Sequence, residues 1–211
     1  MLLDSASTKL TQYLIRNNVI SGDDFPIYKY GLELLISSII ETVVICVLGS
    51  IAFTLFDAVI FIVCFVLLRS FSGGFHAKSY LRCTVYSTVT FCSVALAAKY
   101  LHLGLITLSV ISIIDLAVIM VFAPVENPAK PIENDQKPKL RMISTLVCIA
   151  FIVVSFVLYC LGIGYSAIIV YSITSVCILV ILGRVKEKSR INKQQKKKGA
   201  PGNETLIQSH R

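Results

Sequence analysis

Charge is what this sequence has least of. Only 15% of its 211 residues are Asp, Glu, Lys or Arg, against roughly a quarter in an ordinary soluble domain. Hydrophobic residues make up 55% and the mean hydropathy is +0.78. Those values exclude a water-soluble globular protein and describe an integral membrane protein. The apolar blocks follow one another closely, so one membrane domain is expected, with no separate soluble domain. Metal-ligand spacing is also missing. Seven cysteines lie at positions 46, 64, 83, 92, 148, 160 and 177, nearly all inside apolar runs, with no C-x-x-C and no paired histidines. A zinc site or disulfide framework is not expected, and neither is a metal or other cofactor. The net charge of +8 comes from short runs beside apolar segments, without interleaved aromatics, which argues against nucleic acid as a partner. The start M-L-L-D-S-A-S-T-K-L lacks the positive and apolar regions of a signal peptide, so no cleavage is expected.

What is present reads as an all-α integral membrane protein with about six transmembrane helices and an N-terminal amphipathic interfacial helix. In residues 1–26, Ala6, Leu10, Tyr13 and Leu14 fall near one stripe at helical spacing, and G-D-D-F-P ends the helix. A small helix packed under the loops is the alternative. Residues 27–183 hold the six spans. Gly31 to Leu68 is about twice the length that crosses a bilayer, which predicts two helices with a tight turn near Gly49 and Ser50. Leu81 to Ala98, Leu105 to Phe122, Met142 to Leu161 and Ser166 to Leu182 supply the rest, around polar loops at 69–80 and 123–141. The basic stretch 184–211 has no apolar face to bury and is expected to be disordered or a loose headgroup-bound helix.

Ionisable residues inside apolar blocks are costly and usually face a polar interior or the interface. Glu33, at a helix start, is a candidate orienter for a catalytic histidine and equally a helix-terminal charge facing headgroups. Asp115, in the fourth span, is either a third catalytic-site group or a structural partner for a neighbouring helix.

The stretch R-S-F-S-G-G-F-H-A-K-S-Y-L-R-C, Arg69 to Cys83, holds the only His and Cys close together in sequence. A thiol becomes a strong nucleophile at neutral pH when an imidazole takes its proton, so His76 and Cys83 are the candidate dyad. Seven residues of unbroken helix would hold them about 10 Å apart, so the backbone must bend between them. Gly73 and Gly74 loosen the approach, and Ser79 can cap a helix starting at Tyr80. Cys83 then sits near a helix N-terminus, where the dipole and nearby cations favour a thiolate. A small packing cysteine and a headgroup-facing histidine remain the structural alternative.

At these residues the chain resembles the accessory gene regulator B (AgrB) peptidases of bacterial quorum sensing. The resemblance implies that His76 and Cys83 are the catalytic pair, with Arg69 and Gly74 on two further positions the family needs. F-A-P-V-E-N-P-A-K-P-I, Phe122 to Ile132, resembles the family's proline- and lysine-containing loop, with Lys130 on its functional lysine position. Here one lysine stands where some members carry several. The implied activity is a cysteine endopeptidase that removes the C-terminal part of an AgrD-type precursor through a Cys thioester. An internal Cys or Ser of the precursor then closes a thiolactone or lactone ring. A homodimer in the bilayer is implied as well. Lys130 would hold the acidic end of the precursor, and Arg69 together with backbone N–H groups would stabilise the oxyanion. The rival from another class is a non-enzymatic polytopic protein, such as a transporter subunit or scaffold, with Asp115, Glu41 and Asp57 lining a pathway.

Charge distribution gives a sidedness. With six spans, one side holds Lys9, Arg16, Lys29, Arg69, Lys78, Arg82, Lys130, Lys137, Lys139, Arg141 and the basic tail, and the other holds only Lys99. The positive-inside rule puts both termini, the His76–Cys83 motif and the Lys130 loop on the cytoplasmic side of a bacterial cell membrane.

Overall fold

The computed structural model describes residues 2–17, 19–73, 80–125 and 135–198. These form α1 (Leu2–Arg16), a short 3-10 turn at Gly22–Asp24, α2 (Phe25–Ala52), α3 (Leu55–Ser72), α4 (Tyr80–Tyr100), α5 (Leu105–Phe122), α6 (Gln136–Cys160) and α7 (Ser166–Lys198). Among the described residues there are no strands, only an isolated bridge between Gly73 and Val125. Helices α2, α3, α5, α6 and α7 are each long and apolar enough to cross a membrane. The sixth expected span, α4, is 21 residues long, but Thr84, Ser87, Thr88, Thr90 and Ser93 dilute its hydropathy. It packs against α2, α3 and α7 as part of the same bundle. The protein is an all-α membrane protein.

Apolar side chains point outward as well as inward. Ile51, Val63, Ile106, Ile113 and Val153 are all exposed, a surface that only a hydrocarbon solvent leaves without penalty. The inner core forms around α7, which packs on α3, α4, α5 and α6 and buries Ile168, Val170, Ile173, Val176 and Val180. A cluster of phenylalanines ties α3 to α4. Phe61 lies 5.0 Å from Phe65 and 5.3 Å from Phe91 between ring centroids, and Phe53 meets Phe91 edge-on at 5.7 Å.

Three local features differ from the sequence expectation. The turn between the first two spans lies at Phe53–Thr54 rather than at Gly49 and Ser50, because Thr54 caps α3 by accepting a hydrogen bond from the Asp57 N–H at 3.1 Å. Gly49 stays helical and serves close packing, since a Cβ there would stand 2.6 Å from the Ala58 Cβ. The apolar stripe of α1 faces away from the protein, as expected of an interfacial amphipathic helix. Ser7 and Thr11 are buried against α2, while Leu10 and Tyr13 are exposed. Finally, α7 does not stop at residue 184 but continues as helix to Lys198, with Arg184 paired to Glu187 one turn on at 3.0 Å.

One end of the bundle is tied together by a set of polar contacts. The Val125 N–H donates to the Ser72 carbonyl at 3.0 Å, beside Gly73, whose φ of +69 suits glycine. A side chain at Gly73 would also collide with the Val125 carbonyl. Arg184 donates to the carbonyls of Phe122 at 2.8 Å and Pro124 at 3.0 Å, and Arg141 to that of Ala123 at 2.9 Å. These bonds satisfy the backbone of the chain leaving α5 and hold it against the end of α3. Gly73 and Val125, which meet at the bridge, are the described residues that precede 74–79 and 126–134 in sequence.

Candidate active site

Cys83 lies in the first turn of α4, half-buried, and Arg69 lies in the last turn of α3. The two helices pack with these turns facing, so residues fourteen apart in sequence meet in space. The Arg69 guanidinium and the Cys83 sulfur line the same cleft, close enough for the cation's charge to act on the sulfur. It also sits 5.2 Å from the centroid of the Phe65 ring, one turn earlier on α3, and that cation–π contact helps fix its direction. Together with Phe65, Tyr86, Ser87, Thr90 and Leu179, these two residues line one narrow cleft of about 10 Å³ between α3, α4 and α7, roughly the room needed for one water.

Glu41 on α2 is the acid whose charge bears on Cys83, and helix register explains it. Gly49 and Phe91 come together where α2 and α4 pack. Counting back eight residues along each helix (49 to 41, 91 to 83) brings Glu41 and Cys83 to the same level. The sequence offered a signal in Glu41, an acid inside an apolar span, but nothing in the spacing distinguished it from Glu33 or Asp57.

The other residues singled out from sequence are placed elsewhere. Glu33 accepts a hydrogen bond from Ser7 at 3.3 Å and lies 3.9 Å from the Lys29 ammonium, joining α1 to α2. Lys29 in turn pairs with Asp4 at 2.6 Å. The Lys29 ammonium, by its hydrogen bond first and its charge second, holds the Asp4 carboxyl below its ordinary value. Asp115 is 3% exposed on α5 and accepts a 2.7 Å hydrogen bond from the Thr174 hydroxyl on α7. Neither Glu33 nor Asp115 lines the cleft that holds Cys83. Asp57 sits in the first turn of α3, where a carboxylate complements the helix dipole. His76, Gly74 and Lys130 lie outside the described residues.

Sequence reasoning missed Ser87. It is 1% exposed, lies one turn beyond Cys83 on the same face of α4, and lines the same cleft. Serine inside an apolar helix is common, so its identity gave no signal. The cysteine-plus-four spacing, once Cys83 is chosen, is the only one that could have found it.

The family model for accessory gene regulator B matches residues 7–198. The accessory gene regulator protein B of Staphylococcus haemolyticus (strain JCSC1435) is 25% identical over 154 residues, covering 73% of this chain and 82% of its own length. That of Staphylococcus aureus (strain Newman) is 23% identical over 155 residues, covering 74% and 82%, and that of Staphylococcus epidermidis 22% over 156 residues, covering 74% and 80%. No solved structure matches. With the family model spanning nearly all of the helical bundle, the chain belongs to the accessory gene regulator B family.

Proposed function

We propose that this protein is the membrane-embedded cysteine endopeptidase of an agr-type quorum-sensing system. Cys83 attacks a peptide carbonyl of an AgrD-like precursor, with His76 taking the thiol proton. The S–C bond forms, the carbonyl electrons move onto oxygen, and collapse of that intermediate breaks the C–N bond. The C-terminal part leaves as an amine that takes the proton from His76. The precursor stays as a thioester until its own internal Cys or Ser attacks and closes the ring. The observation that carries this reading is the meeting of Cys83 with Arg69 in one cleft at the start of α4. A guanidinium beside the reacting sulfur and carbonyl is placed against the negative charge that develops there.

Position in the bundle supports the rest of the reading. The cleft is narrow and walled by Phe65 and Leu179, which keeps bulk water away from a thioester that must outlast hydrolysis. Gly73 and Val125, the described residues before the His76 and Lys130 stretches, meet at a bridge, which supports an acidic precursor end being held by Lys130 near the dyad. The excess of Lys and Arg at this end puts it and both termini on the cytoplasmic side, where a newly made peptide arrives. Family resemblance makes a homodimer the working assembly. The rival reading, a pathway lined by Asp115, Glu41 and Asp57, has less to support it, since Asp115 is closed onto Thr174 and Asp57 sits in the first turn of α3 against its dipole.

The test is co-expression of the chain with the small peptide encoded beside it, followed by mass spectrometry. Wild type yields a ring and a separate C-terminal fragment. Cys83→Ala and His76→Ala, inserted at equal levels, leave the precursor intact. A precursor still cut by Cys83→Ala would remove the thiol from the chemistry.

A further inference from the structure

We infer that Ser87 is a further catalytic residue: its hydroxyl donates a hydrogen bond to the oxygen of the carbonyl attacked by Cys83. The inference rests on the endopeptidase reading above. It starts from an anomaly in how the helical hydroxyls are used. Serine and threonine in apolar helices normally return a hydrogen bond to the carbonyl four residues back. Thr90 does so to Tyr86 at 2.7 Å, Ser93 to Val89 at 2.9 Å, Ser70 to Val66 at 2.6 Å and Ser172 to Ile168 at 2.6 Å. The same bond from Ser87 would end on the Cys83 carbonyl, and it is not made. The Ser87 Oγ is buried without a hydrogen-bond partner among the described residues.

A buried hydroxyl without a partner costs free energy, and this one opens onto the cleft that holds Cys83 and Arg69. Helix geometry aims it. Residues four apart stand about 5–6 Å apart at Cβ, and side chains tilt toward the helix N-terminus, so Ser87 leans back toward Cys83. An acyl group joined to the sulfur carries its oxygen into that gap, between the Ser87 hydroxyl and the Arg69 guanidinium. As the carbonyl becomes tetrahedral the oxygen gains charge, and a hydroxyl that waits without a partner at that point lowers the barrier without reorganising. Thr90, the next polar residue on this face, cannot serve in the same way because its hydroxyl is already committed to Tyr86.

The experiment uses the full chain in lipid vesicles and a synthetic precursor matching the peptide encoded beside it. Ser87→Ala is expected to lower kcat for release of the C-terminal fragment about 10²-fold, with KM within about twofold. Its Tm should be unchanged or higher, because a hydroxyl with no partner contributes nothing to the fold. Alkylation of Cys83 by iodoacetamide, followed by peptide mapping, should run at the wild-type rate, since that reaction forms no oxyanion. Ser87→Thr, which keeps the hydroxyl, should retain more kcat than Ser87→Ala. Wild-type kcat in Ser87→Ala overturns the inference, as does a fall in alkylation parallel to the fall in cleavage, which would make Ser87 a support for the thiol. Equal losses in the alanine and threonine variants also overturn it. Failure of the underlying reading is separate, because it would show as cleavage that survives Cys83→Ala.

Discussion

Two polar insertions interrupt the apolar interior, and they are handled in opposite ways. On the α5–α7 side, Asp115 accepts from Thr174, and the Cys177 thiol donates to the Asp115 carbonyl at 3.4 Å. The acid's neighbours are packed and nothing opens onto it from the cleft. On the α3–α4 side, Arg69, Cys83 and Ser87 share an open seam, and one of the three keeps a hydroxyl with no partner. An intramembrane charge therefore does not by itself identify a reaction site. The distinguishing property is whether its hydrogen-bonding capacity is consumed inside the protein or left for something that enters.

The contrast can be broken most severely at Arg69. Arg69→Gln removes the cation from the cleft while keeping a side chain of similar reach, and about a 10²-fold loss in kcat is expected. Arg69→Lys should recover only part of it, because an ammonium lacks the planar fork. Rates of fragment release by purified variants in vesicles decide this, and a Gln variant that cleaves normally would put the arginine outside the chemistry.

A smaller effect, of a different kind, is expected across the bundle. Thr174→Val strips the donor from the buried Asp115 carboxyl and should reduce stability by about 1–3 kcal/mol, seen as a lower Tm in detergent. Cleavage per folded molecule should stay at wild type. A specific loss of kcat without loss of stability would bring Asp115 into the active site after all.

The smallest effect is expected at Ser112. Like Ser87 it is a buried serine whose hydroxyl has no partner, but it lies on α5 beside Asp115 and does not line the cleft. Ser112→Ala should leave cleavage unchanged and Tm level or slightly raised. If it slowed the reaction as much as Ser87→Ala, location in the cleft would not be what gives a free hydroxyl its role.

Much of this was legible without coordinates. Long apolar runs can only be membrane helices, because every backbone N–H and C=O must be satisfied inside the segment; α5 coincides with the block Leu105 to Phe122 and α7 begins at Ser166 as expected. The turn between α2 and α3 was misplaced because Gly49 resembles a breaker in one dimension. Its reason, contact with Ala58, exists only between helices. Cys83, the proposed nucleophile, and its neighbour Arg69 were readable from a local motif, whereas Ser87 and Glu41 were not, since neither has a distinctive identity or spacing until a partner helix is set beside it.

By itself, then, the amino-acid order determined the medium and the helical class, because hydropathy and chain length per span are properties of single segments. The tertiary structure alone decided which polar groups share a space: it sent Asp115 to Thr174, turned Glu33 to α1, and brought Arg69, Cys83 and Ser87 to one cleft. Those assignments depend on helix register and rotation against neighbours, which arise from packing across the whole bundle and are written in no single stretch of the chain.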